Sequence, residues 1–274
     1  MIEWTERPGD SWWTLVRGSL AACWWRLLVV QVLFGGLAWT LVPLHALSYL
    51  HGPWVVTEAL QLAAGHLLAA WGWSAGLRIL DGGHGILSAL RPDVRRIGRL
   101  SCWLVALDLV GVLRLLVYVD GGAYTDIVFS PAMSAIQLAS LYLAFAAALL
   151  PMAVLLEGRG LRRAWRLSHG GLRAVLRVLP LVLLGTFATE ALQYAQIVAL
   201  GTYPRPSYLV PLQAAAFVLG VLGGALTKVL LYAAHQVSSR AGRDDSRAYG
   251  PSPVSPSSGH HSPGPKVTPG TAAV

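Results

Sequence analysis

The stretch LLEGRGLRRAWRLSHGGLR, from Leu155 to Arg173, packs five arginines and a histidine into one short run. Basic residues at this density beside apolar spans suit lipid phosphate. On a helical wheel Leu161, Ala164, Trp165, Ser168, Leu172 and Val175 follow offsets of three and four. Arg162, Arg163, Arg166, His169, Arg173 and Arg177 occupy a second stripe. This periodicity predicts an amphipathic basic helix lying in the headgroup layer of a membrane. In that reading Arg159, Arg162, Arg163, Arg166, Arg173 and Arg177 contact anionic lipid headgroups. The alternative is an ordinary charged loop that only fixes topology.

A second set of reactive side chains lies inside apolar runs, where ionisable groups are costly and usually face a bundle interior. Measured from the ends of their runs, His66 and Asp108 fall near mid-depth, and Glu58, Arg114 and Glu190 in the outer half. Glu157 and Lys228 lie toward the basic side. These residues form either a polar pathway or lipid-headgroup pocket, or structural ion pairs that tie helices together, with Gln61, Gln137, Gln193 and Gln196 available to either arrangement. No nucleotide loop, catalytic Ser or Cys constellation or zinc spacing is present in the sequence, so the expectation is no catalytic residue, no metal and no cofactor. His260 and His261 form only an isolated pair in a Ser/Pro/Gly-rich segment.

The elements that must position these groups are hydrophobic. Of 274 residues, 55% are hydrophobic and 12% charged, against roughly 25% charged in soluble domains. A spanning helix needs about 20 mostly apolar residues. Six runs qualify: 27–47, 54–77, 100–118, 132–156, 174–200 and 209–234. Period-2 alternation is absent, which argues against a β-barrel. The expected fold is therefore an all-α polytopic membrane bundle of six transmembrane helices with amphipathic basic interfacial helices. Residues 1–236 make the membrane domain. Residues 237–274, rich in Ser, Pro and Gly, make a disordered tail.

Of the 21 Lys and Arg residues, all but Arg114 and Arg205 fall on one side of this arrangement. The positive-inside rule makes that side, with both termini, cytoplasmic in a cell (inner or plasma) membrane. The net charge of +8 sits beside apolar spans, which favours lipid phosphate over nucleic acid as the partner. Cys23 and Cys102 lie near cytoplasmic helix ends, where a disulfide is not expected. Trp12, Trp13, Trp24, Trp25, Trp54, Trp71, Trp73 and Trp165 flank span ends as an aromatic belt. Gly220 and Gly224 form a G-x-x-x-G on the sixth run, read as internal packing. The Gly-rich DGGHGILSAL from Asp81 reads as a flexible connection. WTLVRGSLAA from Trp13 echoes WRLSHGGLRA from Trp165, and LSALRPDVRRIGRLS has a similar mixture. Together they suggest three repeats of a basic interfacial helix followed by two spans.

The run PMAVLLEGRGLRRAWRLSHGGLRAVLRVLPLVLL resembles the membrane domain of glycerophosphoryl diester phosphodiesterases, which stand-alone bacterial integral membrane proteins share. That family's pattern is a span ending in Glu-Gly, an Arg-Ser-Trp-Arg-Leu-like run and a further span. Glu157, Gly158, Arg163, Trp165, Arg166, Leu167 and Gly170 match it, and Ala164 stands where the family commonly has Ser. The resemblance covers Pro151 to Leu184. Two-part members carry a soluble catalytic domain opening on His-Arg-Gly, whereas here His169 is followed by Gly170 and too few residues follow Gln236. The resemblance thus implies the membrane part without the hydrolase. The function expected from the sequence is a non-enzymatic scaffold or accessory protein in lipid or envelope handling. A small transporter using Glu58, Asp108, Arg114 and Glu190 is the alternative.

Overall fold

The computed structural model describes residues 12–51, 54–119, 131–170, 172, 175–178, 180 and 206–248, with side chains at 41–59, 109–119, 132–134, 137, 206–210 and 241–248 outside the description. Among the described residues every regular element is a helix. In chain order these are α1 Trp12–His51, α2 Trp54–Gly82, α3 Ile86–Ala89, α4 Val94–Val119, α5 Pro131–Ala146, α6 Leu150–Leu155, α7 Leu161–Gly170 and α8 Pro206–Ala248. Among the described residues three stretches are long and apolar enough to cross a bilayer: Trp12–Thr40, Leu138–Leu155 and Pro211–Arg240. Among the described residues the protein is thus all-helical, with three stretches that suggest membrane association where the sequence suggested six. Two of the other expected runs coincide with α2 and α4, which match a bilayer in length but carry ionisable residues along it. Most of the fifth expected run, 174–200, lies outside the described residues.

At the centre, α1 packs against both α2 and α8, and α2 against α4. Cys23 Sγ donates to the Ile79 carbonyl at 3.5 Å, and Phe34 meets Trp71 edge-on at 5.4 Å. Lys228 of α8 reaches Gln31 of α1, and Phe217 meets Trp39. These pairings fix α1 antiparallel to both neighbours.

Proline and glycine shape the stretch that leads to the basic segment. Pro151 has no N–H for the Ala147 carbonyl and cannot continue the regular ladder. The Leu150 N–H turns instead to Ala147 O at 2.8 Å, and α5 ends in a tight turn before α6. That shift leaves the Ala146 carbonyl without its usual partner, and Ser168 Oγ of α7 donates to it at 3.3 Å. Every residue of α6 is buried. Gly158 then takes φ +66, a left-handed conformation that costs other L-residues about 1–2 kcal/mol. The Arg159 N–H folds back on Ala153 O at 2.8 Å and closes the helix end.

Three expectations about the connections change. The N-terminal echo is not a separate interfacial helix, because residues from Trp12 run unbroken through α1. Likewise RRIGRLS opens α4 directly, its first turn capped by Asp93 Oδ1, which accepts from the Arg96 N–H at 3.3 Å. Only α7 forms a separate basic amphipathic helix among the described residues. The glycine-rich connection after Asp81 is tied down: Arg26 Nη1 donates to Gly83 O at 3.0 Å, Trp71 Nε1 to Leu90 O at 3.0 Å and Arg78 Nη1 to Arg91 O at 2.6 Å. Finally, α8 continues past Gln236 to Ala248, since helix propagation costs little once the helix is nucleated. Residues 249–274 of the expected tail lie outside the described residues.

Candidate functional site

Basic side chains converge where α4, α6, α7 and α8 meet, just beyond the end of the Leu138–Leu155 stretch. Glu157 is their acceptor. Arg163 Nε donates to Glu157 Oε2 at 2.6 Å and its Nη2 to Oε1 at 3.2 Å, a two-pronged contact. From α8, His235 Nε2 donates to the same Oε1 at 3.1 Å. A carboxylate only accepts, so Nε2 carries the proton. The His235 Nδ1 is buried and finds no partner among the described residues. Burial by itself would raise the Glu157 carboxyl, but hydrogen bonds from Arg163 and then His235, reinforced by their charge, hold it below its ordinary value.

The last carbonyl of α6 and the Gly158 carbonyl just beyond it receive donors from α4. Arg96 Nη1 donates to Leu155 O at 2.6 Å, and Arg99 Nη1 to Gly158 O at 2.7 Å. Cations at a helix C-terminus satisfy its orphan carbonyls and complement the helix dipole. Next to this end a cavity of about 200 Å³ is lined by Arg78, Asp81, His84, Asp93 and Arg96 with apolar neighbours. Asp81 Oδ1 in turn accepts from the Tyr232 hydroxyl at 3.0 Å. Most of these polar groups already have partners, which favours a structural knot over a reactive centre. Among the described residues no three His, Cys, Asp or Glu side chains are placed to hold a metal.

α7 itself has two faces. Ala164, Leu167 and Ser168 are buried against the bundle, while Arg162, Trp165, Arg166 and His169 are exposed. Trp165 stacks on His169 at 4.8 Å, with Tyr142 edge-on to Trp165 at 5.2 Å. Of the six arginines expected at headgroups, Arg159, Arg162, Arg166 and Arg177 are exposed. Arg163 departs from that set, being half-buried and held by Glu157. Arg173 lies outside the described residues.

Of the five intramembrane polar candidates, the structure brings two together. His66 Nε2 of α2 and Asp108 Oδ2 of α4 lie 3.1 Å apart, with 21% and 48% of their side chains exposed. Glu58 and Arg114 belong to α2 and α4, but their side chains lie outside the description, as does Glu190 entirely. Sequence reasoning missed the Glu157–His235 bond and the arginine caps on α6. The first joins positions far apart in sequence, and no periodicity signals it. Trp13, Trp24 and Trp25 are exposed as a belt requires, whereas Trp12 is buried and Trp71 and Trp73 are largely covered. Both cysteines are free. No protein-family model, curated protein or solved structure matches the chain.

Proposed function

We propose that the protein is a non-enzymatic multipass protein of the cell membrane, with six spans and cytoplasmic termini. It acts as a scaffold or accessory in lipid or envelope handling, holding anionic headgroups against α7. One observation carries this reading: α7 is anchored to the bundle by a buried face while Arg159, Arg162 and Arg166 remain exposed beside Trp165. The resemblance of Pro151–Leu184 to the phosphodiesterase membrane domain points the same way, and fold-level analogy of this kind supports a role only associatively.

The test titrates phosphatidylglycerol or phosphatidylcholine into the detergent-solubilised chain and reads the midpoint of thermal unfolding. Each basic residue near an anionic surface contributes about 1 kcal/mol. Replacing Arg159, Arg162 and Arg166 together with Gln should therefore weaken the phosphatidylglycerol response about a hundredfold at low salt. An equal response to both lipids, or a triple variant that behaves as wild type, rejects the proposal.

The transporter reading draws on a different observation. The His66–Asp108 pair joins two helices at mid-depth with Asp108 half-exposed, as a polar pathway requires.

A further inference from the structure

Lys228 is only 5% exposed and lies well inside the Pro211–Arg240 stretch. Its Nζ donates to Gln31 Oε1 at 2.5 Å and sits 4.9 Å from the centre of the Trp73 ring. An ammonium has three donors, and among the described residues no carboxylate faces this one. A buried cation in a membrane ordinarily pairs with an anion or with backbone carbonyls.

The space around it is made by glycines. A Cβ on Gly76 would stand 2.7 Å from Lys228 Cδ, and one on Gly224 would collide with the Gln31 amide. The G-x-x-x-G of α8 is thus divided: Gly224 admits Gln31, whereas Gly220 meets nothing. From Lys228 a cleft of about 320 Å³ runs between α1, α2 and α8, past Gly35 and Gly65 to Ala38. Counted along α1 from Gln31 to Ala38 it extends about 10 Å away from the basic side, at 1.5 Å per residue. Its lining is mainly apolar apart from Gln31, Thr227 and Lys228.

We propose that this cleft binds a single-chain amphiphile with an anionic head, the head on Lys228 and the chain along Gly35, Gly65 and Ala38. Charge complementarity fixes the head: among the described residues the ammonium has no counter-charge, and a carboxylate or phosphate supplies one within the low-dielectric interior. The volume fixes the tail. It falls at the bottom of the usual range for ligand pockets, about 300–1,000 Å³, which leaves room for one chain. The orientation follows that of a membrane lipid, with the anionic head nearest the basic side. This site is separate from the exposed face of α7 and does not rest on headgroup binding there.

The test uses the full chain in nanodiscs of neutral lipid, labelled with dodecanoate carrying a photoreactive group at its chain end. Label should map to the cleft on α1, α2 and α8. Unlabelled dodecanoate or dodecyl phosphate should displace it at a concentration about tenfold below that of dodecanol, a difference of about 1.4 kcal/mol. Inorganic phosphate should not displace it. Lys228→Met, which removes the buried charge and leaves only the Gln31 amide without this donor, should make acid and alcohol compete equally. Gly65→Leu fills open space, since a Cβ there meets nothing within 4 Å, and should abolish cleft labelling with Lys228 intact. Equal competition by acid and alcohol on the wild type, or an acid preference that survives Lys228→Met, overturns the anionic head. Displacement by inorganic phosphate alone, or labelling unaffected by Gly65→Leu, overturns the acyl chain.

Discussion

Replacing Glu157 with Gln leaves the Arg163 guanidinium and the His235 N–H facing an amide that can accept at one atom only. Three hydrogen bonds are affected, at 2.6, 3.2 and 3.1 Å. Hydrogen bonds to charged groups contribute about 1.5–3 kcal/mol each, and breaking a fully buried pair costs about 3–5 kcal/mol. Glu157 is 19% exposed and Arg163 29%, so water compensates part of the loss, and about 2–3 kcal/mol is expected. For a domain of this size that lowers the unfolding midpoint by about 5–10 °C. The assay can use the protein's own thiols: Cys23 is buried and Cys102 exposed. In a Cys102→Ser background, a thiol-reactive fluorogenic dye reports unfolding through Cys23 alone. The deficit should also depend on pH. The folded carboxyl is held below its ordinary value of 4.5, so its stabilisation is complete above that value and disappears as pH falls through the depressed one. The gap between wild type and variant should hold near neutrality and close in acid. A midpoint unchanged by Glu157→Gln, or a gap that persists at the acid end, refutes the argument.

Ser168→Ala should cost about 1–2 kcal/mol in the same thermal assay, because it strands the buried Ala146 carbonyl that Pro151 leaves free; an unchanged midpoint would mean another donor serves that carbonyl. Gly158→Ala should cost about 1–2 kcal/mol through its positive φ alone, since a Cβ there meets nothing within 4 Å. If His66 and Asp108 form a structural tie, His66→Gln and Asp108→Asn should each lower the midpoint and the double variant should recover part of the loss, whereas additive effects favour the polar pathway. A cysteine placed in the segment after Ala248 should resist impermeant reagents in intact cells; labelling there would invert the proposed topology.

The helical, membrane-bound character of the chain was legible because length and hydropathy are local properties of a run. The helix α7 was legible for the same reason, its stripe needing only ten residues. What its arginines touch was not. Arg163 lies six positions from Glu157, a spacing that no continuous helix places on one face, and they meet only because Gly158 reverses the chain between them. His66 and Asp108 were both placed near mid-depth, and depth is the one coordinate that hydropathy supplies. Their azimuth, which decides whether they face each other, is set by packing of α2 on α4. Lys228 was visible as a charge inside a span, but Gln31 is 197 positions away, and the glycines that make room for both read as ordinary packing.

The arginine donors on α6 also bear on how the chain is made. The Arg159 N–H serves Ala153 O from within the segment, but the Leu155 and Gly158 carbonyls are closed by residues 59 positions earlier, so the end of this helix is not completed from its own sequence alone. Backbone groups left open near lipid are costly. Synthesis runs from the N-terminus, so Arg96 and Arg99 emerge before the carbonyls that need them. A circular permutant that moved α4 behind α7 would reverse that order. It would make α6 before the arginine that closes its Leu155 carbonyl.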